Sequence, residues 1–185
     1  MISPTPAPAT SRRFGAFAMV LGVMVLAGCT PSPAPKPTPT AAFASEEEAF
    51  AAAEETYRAY TDALSNVDFG DASTFETVYV HLSGSSAAST KKVFSEFQAA
   101  GLRTVGVTRY DSFAGVSASL TSGRFSATVC VDVSDVDVVD REGRSIVTPD
   151  RPDRQPMLIT FETSRASANL TIATQDPTDQ TSCVP

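Results

Sequence analysis

The chain has no tryptophan, one histidine (His81) and three cysteines, none of them in a Cys-x-x-Cys spacing. A dithiol redox motif is therefore absent, and so is the His/Cys spacing of a zinc site. Lysine is scarce beside arginine, and 21 acidic residues outweigh 14 basic ones, for a net charge of −7 over 185 residues. A surface of that sign repels phosphate backbones and anionic headgroups, so no nucleic-acid partner is expected. Long apolar runs are also missing. The uncharged stretch Phe14–Gly28 falls short of the ~20 residues that a membrane-spanning helix requires. What is present suffices for one core: 42% of the residues are hydrophobic, and the length fits one domain plus accessory segments.

The accessory segments come first. Arg12 and Arg13 precede the apolar run, which ends in Leu26-Ala27-Gly28-Cys29. A basic n-region followed by an apolar stretch of this length reads as an export signal. Its end resembles the lipobox of bacterial lipoproteins. The resemblance implies that residues 1–28 are a signal peptide, that cleavage makes Cys29 the first residue, and that its thiol carries a diacylglyceryl group. Two acyl chains anchor firmly, since each buried methylene contributes about 0.8 kcal/mol. Ser11-Arg12-Arg13 partly resembles a twin-arginine signal but lacks the hydrophobic pair in register, so general secretion is the expected route. Residues 29–44 follow as a Pro-rich linker, TPSPAPKPTPTAAFA after the cysteine. Polyproline II at ~3.1 Å per residue would make it a semi-rigid spacer of roughly 40 Å. The expected location is the outer face of the plasma membrane.

A folded domain is expected over 45–185. Ser45 with Glu48 three residues later forms a capping box, and Phe50, Ala53, Tyr57, Tyr60 and Leu64 mark an apolar stripe. A short helix is read from Phe75, Val78, Tyr79 and Leu82, closing near Gly84. A third runs from Ala88 to Ala100, with Val93, Phe94 and Phe97 inward and Gly101 at its end. From Leu102 the period becomes two. Strands are read at Val105–Val107, at Tyr110–Leu120 with a break at Gly115, and in RFSATVCVDV, where Phe125, Ala127, Val129, Val131 and Val133 share one face. Val136–Val139 and Ser145–Val147 flank a turn at Asp140–Gly143, followed by strands at Met157–Phe161 and Leu170–Ile172. Helices followed by antiparallel strands give an α+β domain with its helices on one face of a curved sheet.

The Tyr-rich first helix, the two further short helices and the stretch TVCVDVSDVDVVDREGRSIV resemble exported actinobacterial lipoproteins with a nuclear transport factor 2-like, cystatin-like cone. Where many relatives carry Gly-x-Trp, this chain reads ASANLTIA. The resemblance implies a cone-like α+β domain enclosing a cavity, and some relatives are small isomerases or dehydratases.

In an oxidising compartment Cys130 and Cys183 most simply form one disulfide; a redox or metal-binding pair is the rival. His81 falls off the helical stripe and is expected to face solvent. Tyr57, Tyr60 and Tyr79 are read as core residues with a hydroxyl at the rim or as the lining of a pocket. Asp132, Asp135, Asp137 and Asp140 lack the EF-hand pattern and read as a solvated edge strand, and Asp150–Arg154 as a charged, partly self-paired surface loop. Neither catalytic residues nor a metal or other cofactor is expected. The function expected is that of a membrane-anchored, non-catalytic module binding an envelope protein or a small ligand. An isomerase or dehydratase using the cone cavity is the alternative.

Overall fold

The computed structural model describes residues 41–163, 169–181 and Cys183. The expected signal peptide, Cys29 and all but the end of the expected linker lie outside the described residues. Helix α1 spans Glu46–Leu64, a 3-10 turn Ala72–Phe75, α2 Glu76–Tyr79 and α3 Gly84–Ala100. Among the described residues six strands follow: β1 Arg103–Val105, β2 Arg109–Ser119, β3 Arg124–Asp132, β4 Asp137–Val139, β5 Arg154–Thr163 and β6 Leu170–Pro177. The main sheet is antiparallel in the order β2-β3-β5-β6, and β1 pairs with β4 in a second, two-stranded sheet. Helices packed on a curved antiparallel sheet make this an α+β domain of the cone-like kind, in the element order that the resemblance implies.

Each helix starts and stops for a local reason. The Ser45 hydroxyl accepts from the Glu48 amide at 3.1 Å, while the Glu48 carboxylate accepts from the Ala44 amide at 2.8 Å. The carboxylate thus closes the capping box one residue earlier than the usual pattern. Helix α3 ends at Gly101, whose φ of 68° admits the left-handed cap, and the Leu102 amide bonds back to the Phe97 carbonyl. It starts at Gly84 rather than near Ala88. Of its three expected inward residues Phe94 is buried and Phe97 half-buried, but Val93 is 40% exposed. Val93 stands at the mouth of a cleft described below.

The core lies between α1 and the inner face of the sheet. Ala49, Ala53, Tyr57 and Tyr60 meet Phe125, Ala127, Val129, Ile159, Phe161 and Ile172. Phe43, placed with the linker on composition, is buried against Phe125 with ring centroids 5.5 Å apart. The packed region therefore begins before Ser45. The break in β2 at Gly115 has a packing cause. A Cβ there would lie 2.7 Å from the Phe50 ring, where α1 crosses the strand, and the β2–β3 register slips on both sides.

On β3 the alternation holds for the inner face, but Thr128 and Cys130, read as outward and polar, are also buried. Cys130 and Cys183 are disulfide-bonded with Cα atoms 5.5 Å apart, which brings the C-terminal tail back to the outer side of the sheet. The Asp140–Gly143 turn forms as expected, with the Asp140 amide donating to the Arg144 carbonyl. The loop before β5 is not self-paired. Arg151 donates to the carbonyls of Val133 and Val136, and Arg154 reaches Asp111 at 2.7 Å and Asp132 at 3.5 Å. Among the described residues no helix is long and apolar enough to cross a membrane.

Candidate functional site

Two adjoining chambers open where the end of α1 and α3 leave the sheet. The polar one, about 140 Å³, is lined by Tyr57, Tyr60, Thr61 and Leu64 of α1, Thr108, Val131 of β3, Gln155 and Met157 of β5, and Gln175 of β6. The aromatic one, about 210 Å³, is bounded by Phe69, Phe94, Phe97, Val67 and Val93 on the helical side and by Thr104, Gly106 and Val138 on the strand side. Leu64 and Thr108 belong to both.

The three tyrosines singled out by sequence do not stay together. Tyr57 and Tyr60, one turn apart on α1, both face the polar chamber, and Tyr110 of β2 packs edge-on against Tyr57 at 4.8 Å. Tyr79 lies apart, between Phe75 and Phe94, with the Lys91 ammonium 5.1 Å from its ring centroid. Burial pushes the Tyr57 and Tyr60 phenols up from their ordinary values, and for Tyr60 a hydrogen bond with Gln175 opposes the shift. Both phenols remain protonated near neutral pH and serve as hydroxyl groups. The Gln175 amide nitrogen donates to Ser86 Oγ at 2.8 Å and to Tyr60 Oη at 3.3 Å. This short network ties α1, α3 and β6 at the chamber floor.

Sequence reasoning missed both glutamines. Gln155 shares the inner face with Met157, Ile159 and Phe161 by strict alternation, so its direction was readable. Gln175 was not. Ile172 pairs with Phe161 and Gln175 with Ile159, so Ala173 is an extra residue, and this bulge turns Gln175 inward where alternation would place Thr174.

His81 does not line either chamber, and it is half-buried rather than solvent-facing. Its carbonyl accepts from the Ile172 amide, because the chain leaves the helix after Tyr79 and runs beside β6, so a helical wheel misplaces it. It borders a shallow outer groove of about 350 Å³ with Glu55, Thr56 and Asn169, and burial lowers its pKa. The aspartates of the Asp132–Asp140 run are engaged locally. Asp132 and Asp140 cap turns at Ser134 and Arg144, Asp135 pairs with Arg109, and Asp137 accepts from Ser145. Turn hydrogen bonds hold Asp132 and Asp140 below the usual carboxylate range, and bonding to Arg154 does the same for Asp111. Among the described residues no group of three His, Cys, Asp or Glu side chains is arranged to hold a metal ion.

No family model and no curated protein matches the chain. Among solved structures it is similar to a candidate aromatic ring hydroxylase from Novosphingobium aromaticivorans, at 13% identity and a TM-score of 0.48 over 72% of this chain and 91% of that one. It is also similar to Aln2 from a Streptomyces species, at 16% identity and a TM-score of 0.41 over 71% and 90%. A candidate polyketide cyclase from Xanthomonas campestris matches at 11% identity and a TM-score of 0.34 over 67% and 90%.

Proposed function

We propose that this protein is an exported bacterial lipoprotein, anchored through Cys29 at the outer face of the plasma membrane, whose domain is a non-catalytic binding module with the two-chambered cleft as its recognition site. The observation that carries the binding reading is the chemistry of the cleft lining. Among the described residues, every side chain that lines either chamber is neutral: phenols, amides, hydroxyls, a thioether, aliphatic groups and phenylalanine rings. Proton abstraction, as an isomerase or dehydratase would require, needs a group that accepts a proton near neutral pH. The described lining offers phenols whose pKa is raised, and His81 lies elsewhere. An uncharged, partly apolar cleft with a few polar groups is the ordinary form of a small-ligand site.

The anchor reading rests on the basic pair, the short apolar run and Cys29 in sequence, with the Pro-rich spacer behind them. Its test is fractionation of cells expressing the wild-type chain or Cys29→Ser, with palmitate labelling. Wild type is expected in the membrane fraction with label on Cys29, and the variant unprocessed or released and unlabelled. A wild-type protein that is wholly soluble with a free Cys29 thiol would overturn the reading. Crosslinking in intact cells followed by co-purification tests whether an envelope protein, rather than a small ligand, occupies the module.

A further inference from the structure

The two chambers differ in chemistry and meet at Leu64 and Thr108. The polar chamber presents the Tyr57 and Tyr60 hydroxyls, the Thr108 hydroxyl and the amides of Gln155 and Gln175, a set that both donates and accepts. The aromatic chamber is walled by rings fixed against one another, with Phe69 5.2 Å from both Phe94 and Phe97, and is completed by Val67, Val93 and Val138. Leu64, the last residue of α1 and half-buried, stands between them with Thr108. Each chamber alone is smaller than the ~300–1,000 Å³ of typical small-molecule sites, and together they reach the lower end of that range.

We infer that the chambers are two halves of one site for a neutral amphiphile, with a hydrogen-bonding head held at Gln175 and Tyr60, an apolar body against Phe69 and Phe97, and Leu64 as the gate that sets the length admitted. The inference deepens the binding reading above and depends on the cleft being the recognition site. Neutrality follows from the lining. A charged ligand would lose its hydration in a cleft that supplies no counter-charge, and an unpaired charge is costly to desolvate. The gate follows from position. A leucine at a helix end changes rotamer on the ps–ns scale of partly exposed side chains, so one rotation joins or divides the chambers. The exposed Val93 marks the rim over which the apolar body enters.

The probes are N-phenyl-1-naphthylamine, which is neutral, and 1-anilinonaphthalene-8-sulfonate, the same ring system carrying a sulfonate. Fluorescence titrations use the full chain made by cell-free synthesis under oxidising conditions, so that Cys29 stays unacylated and no detergent competes. Signal from the apolar N-terminal run is common to all variants and cancels between them. The neutral probe should bind saturably, and the sulfonate at least tenfold more weakly. Leu64→Trp, which fills the junction, should weaken the neutral probe at least tenfold, whereas Leu64→Ala should raise affinity for the longer neutral dye Nile red several-fold. Should Leu64→Trp lack a cooperative melt, Gln175→Leu takes its place and should weaken the neutral probe about fivefold. Equal affinity for the two naphthyl probes, or neutral-probe binding that ignores both Leu64 and Gln175, overturns the inference. Those results leave the Cys29 fractionation untouched, and a soluble protein with Leu64-sensitive binding would sink the anchor while keeping the bipartite site.

Discussion

Cys183→Ser opens the disulfide that ties the C-terminal tail covalently to the sheet, and its effect can be worked out from loop length. The bridge joins residues 53 apart in sequence. Chain-entropy arithmetic for a loop of that size gives about 4 kcal/mol at 25 °C, an upper figure because part of a disulfide's effect is enthalpic. With a urea m-value of roughly 2 kcal/mol/M for a domain of this size, the unfolding midpoint should fall by about 2 M. A second signature separates the mechanism from simple loss of tail contacts. A bridge that acts on the unfolded chain keeps that chain compact, so its removal should raise m while lowering the midpoint. Circular dichroism in urea on oxidised wild type, wild type with reductant and Cys183→Ser reads both quantities. Wild type with reductant should match the variant. A midpoint unchanged to within about 0.25 M, equivalent to roughly 0.5 kcal/mol, would refute the reasoning and mean that the bridge contributes nothing to stability.

Tyr57 is 2% exposed, so Tyr57→Ala should cost about 3 kcal/mol or more by opening a cavity, whereas Tyr57→Phe should cost under about 1 kcal/mol because the hydroxyl borders the chamber. Urea melts within about 0.5 kcal/mol of wild type for the alanine variant would remove Tyr57 from the core. Gly115→Ala should destabilise by roughly 1–3 kcal/mol by pressing on the Phe50 ring, and a double-mutant cycle with Phe50→Leu should recover part of the loss. Strict additivity in that cycle would show that the ring is not what the added methyl meets. His81 has a lowered pKa in the fold, so the unfolded chain binds its proton first. Its contribution is complete above the ordinary value of about 6.5 and is lost as pH falls through the folded value. The urea midpoint should therefore decline between pH 7.5 and 5.5, and less so in His81→Phe; identical slopes in the two proteins would contradict this.

The legible part of the fold was written locally. Ser45 and Glu48 start α1, the stripe to Leu64 gives its buried face, Gly101 stops α3, and the alternation of Phe125, Ala127 and Val129 gives the inner face of β3. What was not legible depended on chain brought in from afar. Thr128 and Cys130 read as outward by period two, yet both are buried, and the tail returns to Cys130 through Cys183. Val105 reads as a strand residue alternating with Val107, yet Val107 lies beyond β1, which joins β4 in the small second sheet and leaves Val105 52% exposed. The cleft was half legible. Tyr57 and Tyr60 carried it on α1, but Tyr79 shares their residue type and not their place, and Gln175 enters through a bulge that no periodicity announces.

Helix α1 joins these observations, because burial falls along it from one end to the other. Near its start Phe43 and Phe125 fill the space under the sheet, and Ala49 and Ala53 are sealed completely. Two turns later Tyr60 packs on the Tyr57 ring and its hydroxyl accepts from the Gln175 amide, and at Leu64 the helix borders open volume on both sides. The same apolar stripe therefore does different work by position. A change at Ala53 should register as stability alone, a change at Leu64 chiefly as ligand affinity, and changes at Tyr57 and Tyr60 as both.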